Sequence, residues 1–274
     1  MSTCYRHPDR EAYVRCQRCE RFICPSCQVE ASVGFLCPDD AGTNTTKARI
    51  TSMAPAPMQR ALRTGAPVVT YSLIIACVAI WALQYLLGDS FTYKFLYTPY
   101  ATILEPWRMI TSAFLHSPSS VLHILFNMYS LWIFGRVLEP ILGSGRFLLL
   151  YLVSAFGGSV SVLWLAGPGT SVVGASGAIF GLMAAYFVVL RSVGSSTGQM
   201  VGLIAINLAS GFLIPGVSWQ GHLGGLIVGG IIATIYSRTR GANDGRKRRA
   251  YVLLTIGALI VATIAGCARL LGYF

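Results

Sequence analysis

The chain is short of charge, and of carboxylates above all. Only 11% of its 274 residues are Asp, Glu, Lys or Arg, and only ten are acids. A soluble domain carries about a quarter charged residues, so the composition argues against a water-soluble globule. The acids are Asp9, Glu11, Glu20, Glu30, Asp39, Asp40, Asp89, Glu105, Glu139 and Asp244, and none falls in the middle of an apolar run. A proton-coupled carrier is expected to bury at least one ionisable group at membrane depth, so that class lacks its main device. A Ser-His-Asp triad in the apolar part lacks its third member for the same reason. Histidine is limited to four residues, and beyond Cys37 cysteine falls to Cys77 and Cys267, which read as packing residues. The first sixty residues are polar and Cys-rich, so no cleavable signal peptide is visible there.

What is abundant is apolar sequence. Hydrophobic residues make up 54% of the chain and gather in seven runs, at 68–87, 121–138, 147–166, 172–190, 199–214, 219–236 and 250–272. Runs of this length cross a hydrocarbon core about 30 Å thick. The expected fold class is an all-α polytopic membrane protein. The fifth run is short and carries Asn207 and Ser210, which makes it the weakest of the set. The net charge of +11 is distributed as a topology signal. Nine of the 21 Lys/Arg precede the first run, and Arg238, Arg240, Arg246, Lys247, Arg248 and Arg249 form one loop. With a cytoplasmic N-terminus, 18 basic residues fall inside and only Lys94, Arg108 and Arg269 outside, as the positive-inside rule requires. This places the chain in the plasma (inner) membrane as a multi-pass protein with an extracytoplasmic C-terminus. The basic loop reads as a topology determinant and a contact for anionic membrane lipids. Nucleic acid is not an expected partner.

Six of the eight cysteines lie between Cys4 and Cys37. The spacing is Cys4-x2-His7, Cys16-x2-Cys19, Cys24-x2-Cys27 and Cys37-x2-Asp40. A two-residue gap lets both side chains of a pair reach one tetrahedral ion, so four pairs make two zinc sites. Disulfides compete with this reading, but the segment is expected in a reducing cytosol, and His7 and Asp40 have no part in a disulfide scheme. The pattern resembles a small B-box-type zinc finger. That resemblance implies interleaved pairs: Cys4, His7, Cys24 and Cys27 around one ion, and Cys16, Cys19, Cys37 and Asp40 around the other. Asp39 or Asp40 must stand where the family has a sulfur ligand. No ligand position is left for water, so the zinc is structural, and a forty-residue unit depends on it to fold. Phe22, Ile23 and Phe35 are the expected core. Residues 1–40 form this cytosolic domain, and 41–67, with Pro55, Pro57 and Pro67, read as a flexible tether.

The polar residues of the apolar part are the remaining clue. Ser176 stands in Gly174-Ala175-Ser176-Gly177, His222 opens the sixth run, and His123 begins the second. Under the expected topology all three enter from the outer face and converge at similar depth. A lone serine among glycines serves helix packing, and a lone histidine at a run's end is interfacial. Together they read differently. Gly174, Gly177 and Gly181 face Gly221, Gly225 and Gly229, and two such faces bring a serine hydroxyl within reach of an imidazole.

The order Trp107-Arg108, His123-x3-Asn127, Glu139, Gly143-Ser144-Gly145, Gly174-Ala175-Ser176-Gly177 and Gly221-His222-x2-Gly225-x3-Gly229 closely resembles the rhomboid intramembrane serine proteases over residues 68–240. The resemblance implies a six-helix core over 68–237 and, over 238–274, a basic loop and a seventh transmembrane helix. It implies a catalytic dyad of Ser176 and His222, with Phe180 stacked on the histidine. The oxyanion and substrate-positioning groups would be His123, Asn127, Gly174 and the Ser176 backbone N–H. The loop at 88–120 would lie partly in the outer leaflet, with Glu105, Trp107 and Arg108 structural, and 212–219 would cap the site. The expected substrates are transmembrane proteins, no cofactor is needed for catalysis, and the finger could bind a cytosolic protein. A proteolytically silent rhomboid-like binder is the alternative, and a small-solute carrier with a metal sensor is a third.

Overall fold

A computed structural model describes residues 2–30, 34–41, 65–239 and 241–273. The chain divides into two units, Met1–Thr64 and Gly65–Phe274. Most of the expected tether, residues 42–64, lies outside the described residues.

The first unit is not helical throughout. β1 (Val14–Arg15) pairs antiparallel with β2 (Phe22–Ile23), and β3 (Val29–Glu30) with β4 (Phe35–Leu36), followed by the single-turn α1 (Pro38–Ala41). Its buried hydrophobic cluster is Ala12, Ile23 and five cysteines, with Phe22 and Phe35 only partly buried against it. The Arg15 guanidinium covers the Phe22 ring at 4.3 Å. So little apolar area cannot offset chain entropy by itself.

The second unit is helical. Seven long helices occupy the seven apolar runs: α2 (Val68–Leu87), then after three short helices α6 (Val121–Leu142), α7 (Ser144–Leu165), α8 (Ser176–Ser192), α9 (Gly198–Leu213), α10 (Trp219–Arg238) and α11 (Gly245–Leu270). The short ones are α3 (Asp89–Phe95), α4 (Ala101–Leu104) and α5 (Arg108–Thr111). By length and composition α2, α6, α7 and α11 can each cross a membrane. α8 and α9 are apolar but shorter, and the glycines and His222 of α10 dilute its hydropathy.

Several boundaries move from their expected places, for local reasons. The second run extends four residues to Leu142 and takes Glu139 into the helix. That buried carboxylate accepts from the backbone N–H of Val69 (2.9 Å) and Thr70 (2.7 Å), and from the hydroxyls of Thr70 (2.8 Å) and Ser144 (2.7 Å). It thus caps the orphan donors at the start of α2, where a negative charge is favoured. The fourth helix begins at Ser176, not at 172. Val172 instead pairs with Tyr97 in a β-bridge, and Gly174 takes φ +127°, outside the helical region.

The centre of the unit is α7, α8 and α10, packed backbone to backbone. A Cβ added at Gly225 would lie 1.9 Å from the Gly177 carbonyl oxygen, one at Gly229 2.2 Å from Gly181 Cα, and one at Gly224 2.4 Å from the Gly157 carbonyl oxygen. Only glycine permits this approach, and it puts the serine helix against the histidine helix. The loop between α2 and α6 is braced by Arg108. Its guanidinium pairs with Glu105 at 2.5 Å and donates to the carbonyls of Tyr93 (2.6 Å) and Leu96 (3.4 Å). α11 runs along α7: Trp164 Nε1 donates to Ala262 O (3.0 Å) and Arg269 to Leu163 O (3.0 Å).

Candidate active site and metal-binding clusters

Ser176 is the first residue of α8, and His222 lies in the first turn of α10. Ser218 caps that turn by accepting from Gly221 N. The two side chains meet: His222 Nε2 lies 3.0 Å from Ser176 Oγ. If Nε2 is the acceptor, the proton sits on Nδ1, which has no hydrogen-bond partner among the described residues. Phe180, one turn after the serine, lies flat on the imidazole. The pair is mostly enclosed, with His222 6% exposed.

His123 comes from the start of α6. Its Nδ1 accepts from Ser117 N at 3.2 Å, which leaves the proton on Nε2 in the neutral ring. Nε2 points at the Gly174 backbone: a Cβ there would sit 2.8 Å from it and 3.9 Å from Ser176 Oγ. Gly174 N donates to Ser112 O at 2.9 Å, which anchors the turn before the serine. Asn127 Nδ2 donates to the His123 carbonyl at 2.8 Å. One of its two N–H bonds is therefore spent within its own helix, and Oδ1 has no partner among the described residues. Because α8 starts at Ser176, the N–H groups of Ser176, Gly177 and Ala178 have no intrahelical acceptor. They form a positive helix end facing the cavity. That cavity is lined by Gly174, Ser176, Gly177, Ser159, Ser218 and Gly221 among others.

His116 stands behind His123, with ring centroids 5.2 Å apart. It is fully buried, and neither ring nitrogen has a partner among the described residues. Its backbone N–H donates to Gln84 Oε1 at 3.0 Å. Burial, and then the His123 ring beside it, push His116 down to about 3. The His116–His123 contact has no signal in the sequence, because the 112–120 loop carries no periodicity.

The first unit brings its ligand-type residues together in two groups, Cys4, His7, Cys24, Cys27 and Cys16, Cys19, Cys37, Asp40. In the first, His7 Nδ1 lies 3.9, 3.5 and 3.3 Å from the sulfurs of Cys4, Cys24 and Cys27. In the second, Asp40 Oδ2 lies 3.2 and 3.1 Å from the sulfurs of Cys16 and Cys37, and Cys19 Sγ 3.7 Å from Cys37 Sγ. A tetrahedral zinc with Zn–S of about 2.3 Å sets ligand atoms about 3.5–3.8 Å apart, so both donor sets fit one ion each. All eight cysteines are free thiols. Hydrogen bonds from the thiols of Cys19, Cys37 and Cys16 hold the Asp40 carboxyl at about 2. Asp39 is turned away, accepting from Tyr5 OH at 2.8 Å and pairing with Arg21 at 3.4 Å.

Residues 104–239 match the Rhomboid domain family. The chain is 36% identical over 158 residues to "Rhomboid protease GluP" of Bacillus subtilis (strain 168), covering 55% of this chain and 30% of that protein. It is 41% identical over 133 residues to "RHOMBOID-like protein 6, mitochondrial" of Arabidopsis thaliana, covering 46% and 42%. To "Rhomboid protease GlpG" of Yersinia pestis (strain Pestoides F) it is 34% identical over 182 residues, covering 63% and 64%. The chain thus spans 30 to 64% of the length of these curated relatives. The matches support the rhomboid family and an integral membrane protein.

Proposed function

We propose that this chain, with a Rhomboid domain over residues 104–239 and rhomboid proteases among its relatives, is a serine intramembrane endopeptidase. The observation that carries the reading is the Ser176 Oγ to His222 Nε2 contact at 3.0 Å, inside a glycine-packed helix pair.

Ser176 Oγ attacks the scissile carbonyl carbon while His222 Nε2 takes its proton. The carbonyl oxygen becomes an oxyanion at the positive end of α8, within reach of the Ser176 N–H. His123 Nε2–H and the second N–H of Asn127 are the side-chain donors to it. Collapse breaks the C–N bond, and His222 returns the proton to the leaving amine. The resulting ester on Ser176 is then hydrolysed by water that His222 deprotonates. No carboxylate is needed: Phe180 orients the imidazole in place of an aspartate. Gly174 keeps the approach to His123 open.

The substrates are transmembrane proteins, locally unwound so that an extended strand enters the cavity from the extracytoplasmic side. The segment before α10 caps that entrance, where Phe212 stacks on Trp219 at 5.0 Å. α2 and α6 to α10 form the six-helix core, and α11 is a seventh transmembrane helix with the N-terminus cytoplasmic. The two clusters of the first unit hold structural zinc, one ion each. Zinc supplies folding energy there and takes no part in peptide hydrolysis.

The test compares the full chain with Ser176→Ala in proteoliposomes, using labelled single-span substrates and a fluorophosphonate probe. Cleavage and labelling by the wild type, both lost in the variant, are expected. Equal cleavage by both would overturn the assignment of the nucleophile. Absence of both cleavage and labelling in a folded wild type would leave a silent binder.

A further inference from the structure

The end of the bundle away from His222 is strongly basic. Arg146 lies in the first turn of α7, Arg238 ends α10, and Arg246, Lys247, Arg248 and Arg249 begin α11. α7 and α11 start at the same end of the bundle. Gly158 packs on Gly221 and Gly157 on Val228, so α7 runs antiparallel to α10. Arg248, at the start of α11, reaches the Thr239 carbonyl just after α10, and further along Gly266 packs on Leu163. Leu163 and Gly266 stand equally far in sequence beyond Arg146 and Arg249. At a rise of about 1.5 Å per residue, the two basic first turns therefore lie at one level.

Among the described residues no carboxylate forms an ion pair with these cations. The nearby carboxylates are committed: Glu139 serves its four donors, and Asp244 accepts from Gly241 N. None of Arg146, Arg238, Arg246, Lys247, Arg248 and Arg249 is in an ion pair among the described residues. Arg248 is positioned by donating to Thr239 O at 2.7 Å, which leaves further guanidinium N–H groups free.

An independent observation marks the same place. Tyr236, in the last turn of α10 before Arg238, is 5% exposed. Its hydroxyl is buried and has no hydrogen-bond partner among the described residues. Arg146 and Arg248 both stand close enough to act on that hydroxyl electrostatically. A buried hydroxyl at the same end of the bundle as these two guanidiniums has no acceptor among the described residues, and the acceptor that suits all three donors is an anion with several oxygens.

We propose that Tyr236, Arg146 and Arg248 form a seat for the phosphate of an anionic phospholipid. Two helix N-termini, of α7 and α11, add unpaired N–H groups at the same level. The lipid, rather than free phosphate, is favoured by the surface beside the cations. Tyr251, Leu253 and Leu254 of α11 are 50, 66 and 67% exposed, an apolar strip suited to acyl chains directly after the basic turn. The distance from the catalytic pair, about 21 Å along α10 from His222 to Tyr236, makes this a separate site.

The experiment uses the delipidated full chain in detergent, titrated with dioleoylphosphatidylglycerol and read by native mass spectrometry. Tyr236→Phe changes no charge and breaks no hydrogen bond found among the described residues, so its melting temperature should not move. It is expected to bind the lipid about fivefold more weakly, and Arg146→Gln by about the same factor. Lys94→Gln, at the other end of the bundle, should bind as the wild type does. Should Arg146→Gln fail to fold, Arg146→Lys keeps the charge but loses the planar fork and is expected to fall between. Wild-type affinity in Tyr236→Phe would overturn the seat, leaving diffuse attraction and a water on the hydroxyl. Inorganic phosphate binding as tightly as the lipid, or dioleoylphosphatidylcholine binding equally well, would overturn the choice of occupant.

Discussion

The phenyl ring of Phe180 lies on the imidazole of His222, with centroids 4.2 Å apart and planes inclined by 16°. Phe180 is one helical turn beyond Ser176, so a single face of α8 both presents the hydroxyl and holds the ring that must receive its proton. Replacing Phe180 by leucine should leave the fold intact and lower kcat about tenfold, the worth of one aromatic stack. KM should change little, and Phe180→Tyr should retain most of the rate. Steady-state kinetics on a reconstituted substrate decide this.

Gly174 and Gly225 separate chemistry from packing. Alanine at 174 would be strained at φ +127° and would crowd His123 Nε2, so activity should fall at least about tenfold with a smaller effect on melting. Alanine at 225 would collide with the Gly177 carbonyl. Overpacking of this kind costs about 1–3 kcal/mol or more, and the melting temperature should drop along with activity. Thermal unfolding measured beside cleavage separates the two.

Glu139 is a stability residue. In Glu139→Gln an amide NH2 replaces one oxygen and faces donors with a donor. A loss of about 1–3 kcal/mol is expected, seen as a lower melting temperature, whereas Arg136→Gln should be near neutral.

His116 gives the fold an acid limit. Its value of about 3 when folded lies below the ordinary histidine value of about 6.5. The unfolded chain therefore binds the proton first. The stabilisation is fully present above about pH 6.5 and is lost as pH falls from there towards 3. Melting temperature against pH should show this decline, and His116→Asn should flatten it. A parallel decline in both proteins would assign it to other groups.

The two cysteine clusters should behave as separate sites. Zinc analysis of the purified chain is expected to give two ions, with one remaining in Cys27→Ser. Asp40→Cys should keep both, and Asp40→Ala should lose the second more readily to a chelator. Retention of two tightly held ions in Asp40→Ala would remove Asp40 from the ligand set.

The helices were legible because their signal is local. Seven runs of apolar residues gave seven helices, and glycines spaced four apart on two of them gave the close α8–α10 contact. The Cys-x2 pairs were legible too, since a tight turn makes neighbours of near residues. What reading by period missed was the start of α8. Hydropathy continues through Val172 and Val173, and nothing in it registers a β-bridge to Tyr97 or a left-handed turn at Gly174. The role of Glu139 was equally hidden, since its partners at Val69 and Thr70 lie some seventy residues away in the chain.

By itself, the sequence determined that this is a membrane-embedded helical chain with a cysteine-rich unit before it, and which few polar residues could do chemistry. Apolar length and ligand spacing are properties of short segments, so they survive without a fold. The tertiary structure decided which His222 nitrogen meets Ser176, which donors remain unspent around them, and that the Tyr236 hydroxyl is buried with no partner among the described residues. Each of these depends on the register between helices distant in sequence. That register is set by backbone contacts at glycines, where a single Cβ would move one helix off the other.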